Sequence, residues 1–230
     1  MKRIVVLTGA GMSAESGIKT FRDADGLWEG HDIMEVASPI GWNKNKELVL
    51  DFYNKRRAQL LKVEPNLAHN NLVKLELKFE VSIVTQNVDD LHERSGSSSV
   101  LHLHGELLKV RSTKNECLIY NWTKDVNIGD FAKDNAQLRP HIVWFGEDVP
   151  MLSKAIEITE KADILIIIGT SMQVYPAANL IHYTKSDIPI YFIDPKPSIN
   201  ESAFNNLTVI AEKASTGVSK VVAKLLKEVS

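Results

Sequence analysis

The sequence predicts an α/β protein in which a doubly wound parallel sheet carries a smaller inserted lobe. Three observations support this prediction: short apolar runs, stretches of helical spacing between them, and two regions that interrupt the alternation. Strands that alternate with helices are typical of parallel sheets covered by helices on both faces. With 230 residues, 44% of them hydrophobic, the chain is long enough to bury such a core.

Five short runs rich in β-branched residues predict the strands. Each run is continuously apolar instead of alternating, which indicates a strand buried on both faces, as in a parallel sheet. The runs lie at residues 3–8, 80–86, 141–145, 163–169 and 188–194.

The stretches between the runs predict helices. Residues 51–62 and 65–78 have helical spacing, and Pro65 suits the first turn of the second helix. At the end of the chain, an apolar stripe predicts an amphipathic helix. The stripe consists of Val218, Val221, Val222, Leu225, Leu226 and Val229.

Two regions do not fit the alternation. Residues 22–50 combine glycines and a proline with two tryptophans, and we expect a loop with short helices there. Residues 109–140 are polar and weakly periodic, which favours a small inserted lobe over a further unit of the main sheet.

Charge and cysteine count exclude several classes of protein. Lys and Arg number 27 against 29 Asp and Glu, with no long basic block, so we expect no nucleic-acid partner. No segment approaches the roughly 20 apolar residues of a membrane span. Cys117 is the only cysteine, which excludes an intramolecular disulfide and a cysteine-rich metal site, and we expect a buried, inert thiol. A soluble cytoplasmic protein is therefore expected.

A glycine loop follows the first predicted strand. Gly9, Gly11 and Ala14 match G-x-G-x-x-[G/A], a spacing that lets backbone amides approach a pyrophosphate at a helix start. A dehydrogenase would continue with a helix, a second strand and an acidic residue about 20 positions on. Here a charged and aromatic loop follows, so the loop favours a dinucleotide without the layout for hydride transfer. The alternative is a strand, turn and helix whose glycines serve geometry only.

Five motifs in register extend this observation. They are GAGMSAESGIKTFRD (9–23), TQNVDDLH (85–92), LHLHGEL (101–107), VWFGE (143–147) and GTSMQVYPAANL (169–180). Together they resemble the NAD-dependent protein lysine deacylases, the sirtuin or Sir2 family, from about residue 4 to residue 218. Five motifs in one order are far more specific than one glycine loop.

The resemblance implies one catalytic domain with two parts. A large Rossmann-like part that binds NAD would comprise residues 1–25, 66–108 and 141–230, and a small lobe 26–65 and 109–140. Acylated lysines of proteins or peptides would enter the cleft between them. NAD would be consumed, giving free lysine, nicotinamide and an O-acyl-ADP-ribose.

The resemblance also assigns catalytic residues. His104 matches the general base, a task that suits an imidazole titrating near neutral pH. Asn87, the second catalytic candidate, matches with Gln86 and Asp89 the positions that contact the nicotinamide ribose, order water and hold the carboxamide. His102 lies two positions before His104 and would point to the opposite face of an extended segment, so we expect a structural or surface histidine there.

The remaining matched positions are assigned to the cofactor. Phe21 would shield the reactive ribose from water, and Arg22 would organise the loop and the phosphates. Amides, carboxylates and hydroxyls at the strand ends would hold ribose, carboxamide and phosphate, although turn and helix caps are the alternative for these residues. The full cofactor set is Gly9, Ala10, Gly11, Ser13, Phe21, Arg22, Gln86, Asn87, Asp89, Gly169, Thr170, Ser171 and Asp194. Many relatives carry Asn at the position of Asp194.

A second set is assigned to the acylated substrate. Val143, Phe145 and Gly146 would form part of the lysine tunnel and an edge for the peptide backbone, and Ala37 a small pocket wall. Tyr53 and Arg56, three residues apart on one predicted helix face, match the Tyr-x-x-Arg of members that accept succinyl and malonyl groups. A guanidinium can form a two-pronged pair with a carboxylate. The alternative is an ordinary basic helix face, because Lys55 and Arg57 adjoin.

One departure concerns the small lobe. Most relatives bind a structural zinc ion there through four cysteines, and residues 110–140 retain only Cys117. We therefore expect no metal and a lobe held by apolar packing. The available residues are Leu118, Ile119, Tyr120, Trp122, Val126, Ile128 and Phe131.

Two other functions stay open at this point. Transfer of ADP-ribose to a protein would use the same cofactor pocket. A noncatalytic sensor of NAD or ADP-ribose would need only the binding residues, although retention of His104, Asn87 and Asp89 argues against it.

Overall fold

A computed structural model describes residues 1–19, 27–28 and 30–229. Its main sheet contains six strands, and every neighbouring pair in it is parallel. The strands are β1 (Arg3–Thr8), β4 (Glu80–Thr85), β5 (Val100–His102), β9 (Ile164–Ile168), β10 (Ile190–Ile193) and β11 (Leu207–Ile210). The doubly wound parallel sheet predicted from the sequence is confirmed.

The order across the sheet is β11-β10-β9-β1-β4-β5. The chain therefore runs outward from β1 to one edge and then returns to build the other half from β9. This is the order of Rossmann-like sheets, in which ligands bind at the carboxyl ends of the two strands where the direction of winding reverses. Here those two strands are β1 and β9.

Helices cover both faces because successive strand residues point to opposite sides. On one face, Ile4 and Val6 pack against α4 (Leu67–Leu75) and α7 (Ala214–Glu228). On the other face, Val5 and Leu7 pack against α6 (Leu152–Thr159) and a 3₁₀ helix, Ala177–Tyr183. Each face thus buries its own apolar core, as the continuous apolar runs require.

A second unit contains helices and two small antiparallel sheets. The helices are α1 (Ile33–Val36), α2 (Pro39–Lys44) and α3 (Lys46–Leu60). One sheet pairs β2 (Leu27–Trp28) with β3 (His31–Asp32). The other has the order β7-β6-β8 and contains β6 (Gly105–Ser112), β7 (Ile119–Asn121) and β8 (Leu138–Ile142). The proposed boundaries at 108/109 and 140/141 fall inside β6 and β8.

The predicted strand at 141–145 is wrong. The strand at this place is β8, which pairs with β6 in the small antiparallel sheet, and residues 143–145 lie beyond it. An apolar run identifies a buried strand but not the sheet to which it belongs. Pro140 cannot donate a ladder hydrogen bond, and it lies on an edge strand, where prolines are tolerated.

Helix boundaries also differ from the sequence predictions. Helix α3 begins at Lys46, because the Asn45 side chain accepts a hydrogen bond from the amide of Leu48. Helix α4 begins at Leu67, with Asn66 as the capping residue, so Pro65 precedes the helix. Among the described residues, no helix combines the length and apolar character needed to cross a membrane.

The interior of the small lobe differs in part from the predicted one. Of the expected apolar residues, Val126 is buried, but Ile119, Ile128 and Phe131 are exposed. The expectation of a buried Cys117 is also wrong, because it lies exposed between β6 and β7. Longer elements supply the core instead: Phe52, Tyr53 and Leu60 from α3, Leu107 and Val110 from β6, Leu138 and Ile142 from β8, and Trp144.

Candidate functional site

Two glycine loops interlock where β1 and β9 end. The Gly9 amide donates to the Ile168 carbonyl at 3.0 Å, and the Gly11 amide donates to the Gly169 carbonyl at 2.8 Å. A Cβ atom on Gly11 would lie 2.6 Å from the Cα of Gly169, and Gly169 itself has a φ of +61°. Both positions therefore require glycine. This close approach occurs at the winding reversal, where a nucleotide would bind.

A buried polar cluster lies beside the first loop. The Asn87 amide nitrogen Nδ2 donates to the Gly9 carbonyl at 3.1 Å and to Ser13 Oγ at 3.2 Å. Ser13 Oγ in turn donates to Asp89 Oδ2 at 2.9 Å. Burial raises the pKa of Asp89, and the hydrogen bond from Ser13 opposes that shift. Asn87, Ser13 and Asp89, predicted from separate motifs, therefore form one network.

Two threonines at strand ends and a histidine form a chain of hydrogen bonds that reaches the backbone of Asn87. The Thr8 hydroxyl donates to the Thr85 hydroxyl at 2.8 Å, and Thr85 Oγ1 accepts from the Asn87 backbone amide at 3.0 Å. His92 Nε2 lies 3.1 Å from Thr8 Oγ1. Because the Thr8 hydrogen is used toward Thr85, the His92 ring is the donor in this contact. Burial lowers the pKa of His92 well below its usual value, so the ring is neutral.

His104 lies next to this network with a defined tautomer. Its Nδ1 is 3.1 Å from the Gln86 carbonyl, and because a carbonyl only accepts, Nδ1 carries the proton. Nε2 is therefore the basic nitrogen. Burial lowers the pKa of His104, while the bond to Gln86 opposes this. A neutral imidazole of this kind is ready to accept a proton near neutral pH.

His102 forms a structural contact with the same loop. Its Nδ1 is 3.0 Å from the Asn87 carbonyl and its Nε2 is 2.7 Å from Glu93 Oε1. Burial acts to lower the pKa of His102, but the hydrogen bond and charge of Glu93 outweigh it and raise the pKa. Consecutive backbone carbonyls, those of Gln86 and Asn87, are thus bound by the two histidines.

The second glycine loop brings further predicted cofactor residues together. Gln86 Nε2 donates to Thr170 Oγ1 at 3.2 Å, which joins the ends of β4 and β9. Ser171 follows and accepts, through its carbonyl, from Ser198 Oγ at 2.9 Å. Ala10 lies in the short 3₁₀ turn Ala10–Met12 of the first loop.

Of the three remaining predicted cofactor residues, the structure describes only Asp194. Asp194, directly after β10, is buried, and its Oδ1 accepts from the Lys196 amide at 2.8 Å. It lies at the same edge of the sheet as the glycine loops. Phe21 and Arg22 lie outside the described residues.

Segment 143–146, which carries the predicted substrate residues Val143, Phe145 and Gly146, connects His104 to the small lobe. The Val143 amide donates to the His104 carbonyl and the Phe145 amide to the Ala37 carbonyl, both at 2.9 Å. Phe145 is exposed, and Gly146 has a φ of +90°. The segment thus links His104 to Ala37, which is buried.

Tyr53 and Arg56 lie on one buried face of α3. Tyr53 is fully buried and Arg56 is 8% exposed. The Arg56 guanidinium carbon lies 4.2 Å from the centre of the Trp28 ring, and Tyr53 Oη accepts from Trp144 Nε1 at 3.0 Å. Arg57 is also buried and donates to the Leu107 carbonyl. The alternative of a solvated basic helix face is therefore wrong for both arginines.

Several residues of the site were missed by sequence reasoning. Thr8 and Thr85 end two apolar strands at matched positions in the register, a signal that could have identified them. His92 lies inside a motif that was already recognised. The contact between Trp144 and Tyr53 joins residues 91 positions apart, and no local pattern indicates it.

The arrangement suits a dinucleotide and a proton transfer. Interlocked glycines leave room for a phosphate group to approach the backbone, and buried amides, hydroxyls and carboxylates can direct a ribose and a carboxamide. The basic nitrogen of His104 lies beside this donor set. The described residues contain no group of three or more His, Cys, Asp or Glu that could hold a metal ion, so they do not fit a structural zinc.

Comparison with known proteins gives consistent matches. The model of the Sir2 family matches residues 9–176. An NAD-dependent protein deacylase of Helicobacter pylori is 60% identical over 230 residues, covering 100% of both chains. A Sir2 homologue in complex with NAD has a TM-score of 0.89 and 38% identity, covering 100% of this chain and 91% of its own. A Sir2 structure with a deacetylated p53 peptide and 3′-O-acetyl-ADP-ribose has a TM-score of 0.81 and 30% identity, covering 96% and 92%.

Proposed function

The chain belongs to the Sir2 family, and on that premise we propose that its site removes acyl groups ending in a carboxylate, such as succinyl and malonyl, from lysine side chains. The protein is an NAD-dependent protein lysine deacylase. The finer specificity is supported chiefly by one observation: Tyr53 and Arg56 lie together, buried, in an aromatic part of the small-lobe core.

The cofactor pocket lies at the winding reversal of the sheet. Gly9, Ala10 and Gly11 would approach the pyrophosphate from one loop, and Gly169, Thr170 and Ser171 from the other. When bound, NAD supplies the ribose that receives the acyl group, with nicotinamide as the leaving group. We assign Phe21, Arg22, Gln86 and Asp194 to the same pocket, as the motif match implies.

Three side chains would direct the chemistry at the ribose. Asn87 and Asp89 are preorganised by Ser13, so their remaining polar atoms can orient the ribose and the carboxamide without rearrangement. His104 would hold, at Nε2, the proton that leaves a ribose hydroxyl. Its lowered pKa keeps it unprotonated for that task.

The peptide would bind along the segment that joins His104 to Ala37. Phe145 is exposed at this place, and Val143 and Gly146 belong to the same segment. An extended peptide can pair with such a backbone segment. The acylated side chain would then point past Ala37 toward α3.

The acyl group would meet a cation that has already lost most of its water. The Arg56 guanidinium lies over the faces of Trp28 and Phe52, at 4.2 and 5.5 Å from the ring centres. A carboxylate entering there would form a charge-assisted pair in a low dielectric, which is stronger than the same pair in water. An acetyl group offers no such partner.

Replacement of Arg56 tests this specificity. In Arg56→Met, kcat/KM for a succinyl-lysine peptide should fall by about 100-fold, and that for an acetyl-lysine peptide much less, because a charged hydrogen bond to substrate contributes roughly 2–3 kcal/mol. Initial rates of nicotinamide release with both peptides give the ratio. Lys55→Met, one position away with a side chain 72% exposed, is the matched control. Equal losses on both peptides would contradict the carboxylate pocket.

A further inference from the structure

One hydrogen bond joins the proposed acyl pocket to segment 143–146. Trp144 Nε1 donates to Tyr53 Oη at 3.0 Å, and both side chains are buried, with 2% and 0% of the residue exposed. Their rings are tilted by 34° with centres 6.4 Å apart. Within the described ranges 1–19, 27–28 and 30–229, this is the one side-chain hydrogen bond of Tyr53.

The chemistry of the two groups fixes the direction of the bond. An indole N–H can only donate, so the phenol oxygen accepts there. Burial raises the pKa of Tyr53, and the bond from Trp144 opposes that shift without reversing it, so the phenol stays neutral and keeps its hydrogen. With one lone pair engaged by the indole, the hydroxyl hydrogen points elsewhere and can be donated to another acceptor.

The indole is itself held in place on two sides. The Arg139 guanidinium carbon lies 3.3 Å from the centre of a Trp144 ring, and Arg139 forms two hydrogen bonds with Glu147, at 2.6 and 3.1 Å. Glu147 Oε2 also accepts from the Trp144 backbone amide at 2.8 Å. An ion pair thus fixes both the ring face and the backbone of Trp144. The indole N–H therefore has little freedom to leave the phenol.

We propose that Trp144 is a specificity-determining positioning residue, which holds the Tyr53 phenol so that its O–H donates to the distal carboxylate of an acyl-lysine. The proposal rests on the proposed function, because Trp144 would act on the same acyl pocket through Tyr53. Arg56 would supply the charge, and Trp144 would set the direction in which Tyr53 donates. Acetyl-lysine has no distal carboxylate and would not benefit.

The Trp144→Phe variant removes the indole N–H and keeps an aromatic ring. We expect the ratio of kcat/KM for succinyl-lysine over acetyl-lysine peptide to fall about tenfold, mainly through KM for the succinyl peptide. A tenfold change corresponds to about 1.4 kcal/mol, the size of one hydrogen bond. The Kd of the succinyl peptide, measured by fluorescence anisotropy without turnover, should rise by a similar factor.

Two comparisons separate positioning from a general structural effect. If Trp144 acts through Tyr53, then Trp144→Phe should change the ratio no further when it is added to Tyr53→Phe. Trp42→Phe is the matched control, because the Trp42 ring packs 5.7 Å from that of Trp144 without a hydrogen bond to Tyr53. It should leave the ratio as in the unsubstituted protein.

The outcomes also distinguish this proposal from the proposed function. If the unsubstituted protein shows no preference for succinyl over acetyl peptide, the acidic specificity itself is wrong. If the preference exists but Trp144→Phe retains it, or if the two substitutions are additive, the role of Trp144 is overturned alone.

A measurement on the unsubstituted protein covers the case in which Trp144→Phe does not fold. The assigned indole N–H resonance of Trp144 should shift on addition of succinyl-lysine peptide, because a phenol that donates becomes a better acceptor. Acetyl-lysine peptide should shift it much less. Equal shifts with the two peptides would overturn the proposal.

Discussion

At the scale of single residues, His102 and Glu93 show how the site is kept in place. The imidazole links the Glu93 carboxylate to the backbone carbonyl of Asn87, so a charged pair fixes the loop that carries the proposed ribose-binding amide. The pKa of Glu93 is lowered: burial acts to raise it, and the bond and charge of His102 outweigh that effect. The opposite shifts of the two groups indicate a protonated imidazole beside an ionised carboxylate.

The pair predicts a pH-dependent contribution to stability. The raised pKa of His102 means that its contribution is present below its unfolded pKa, about 6.5, and is lost as pH rises through the folded value. The lowered pKa of Glu93 means that its contribution is lost as pH falls. Glu93→Gln should therefore lower the free energy of unfolding by about 1 kcal/mol near pH 6 and by less near pH 9. The expected loss of unfolding free energy is small because the Glu93 side chain is 41% exposed and water screens the pair.

Urea unfolding at the two pH values measures this difference. Glu157→Gln, an exposed acid on α6, is the matched control and should show no such pH dependence. Other titratable groups near His102 are Glu106, Asp89 and His92, and they are common to both variants. A loss that is equal at both pH values would show that the pair is not charged.

Most of the site was predictable at this scale, because its residues follow the strands that end at one edge of the sheet. Asn87 and Asp89 come from one motif and bind Ser13 from another, and His104 from a third motif contacts the Gln86 carbonyl. The sequence could not indicate the residues that contact the predicted site residues from behind. His92 and Trp144 act through contacts with residues 84 and 91 positions away, which only the tertiary fold creates.

At the scale of elements, the turn at the end of β6 carries a hydrogen-bond cluster. Ser112 Oγ donates to Asp134 Oδ2 at 2.7 Å and accepts from the amides of Lys114 and Asn115. Asp134 Oδ1 accepts from the Ala136 amide. The loop before β8 is thus tied to β6 by a serine and a carboxylate, in a lobe whose sequence does not provide cysteines for zinc.

Removal of this serine should loosen the small lobe. Ser112 is 1% exposed, and Ser112→Ala should lower the free energy of unfolding by about 1 kcal/mol, because two amides lose their acceptor. Chemical denaturation measures the change. Ser98→Ala, at an exposed serine outside the lobe, is the matched control. EDTA should leave the unsubstituted protein's midpoint unchanged, and a drop comparable to that of Ser112→Ala would contradict a metal-free lobe.

Strands that are buried on both faces could be predicted from the sequence. The apolar runs that became β1, β4, β9 and β10 are buried on both faces, and their periodicity shows it. The run at 141–145 misled because only Ile142 and Trp144 are buried, in the core of the small lobe, and Phe145 is exposed. Strand β5, with three residues, carries too short a pattern to be recognised.

At the scale of the whole molecule, strand order explains where the site lies. The chain reverses its winding between β1 and β9, and both glycine loops follow those strands. Val88 and Leu91, which follow β4, pack in the same core cluster as Tyr53 of α3. The small lobe therefore adjoins the edge of the sheet at which the glycine loops lie. The alternation of strands and helices along the sequence predicts a doubly wound sheet. The order of its strands depends on crossovers that span the entire chain.

We propose that the acyl group leaves lysine by transfer to the ADP-ribose part of NAD, with His104 as the base. Mass spectrometry of a reaction with NAD and a succinyl-lysine peptide tests it most directly. Nicotinamide, free lysine peptide and O-succinyl-ADP-ribose should form in equal amounts, and His104→Ala should reduce all three at least about 100-fold. Free succinate formed with NAD intact, or a His104→Ala variant as active as the unsubstituted protein, would contradict the account.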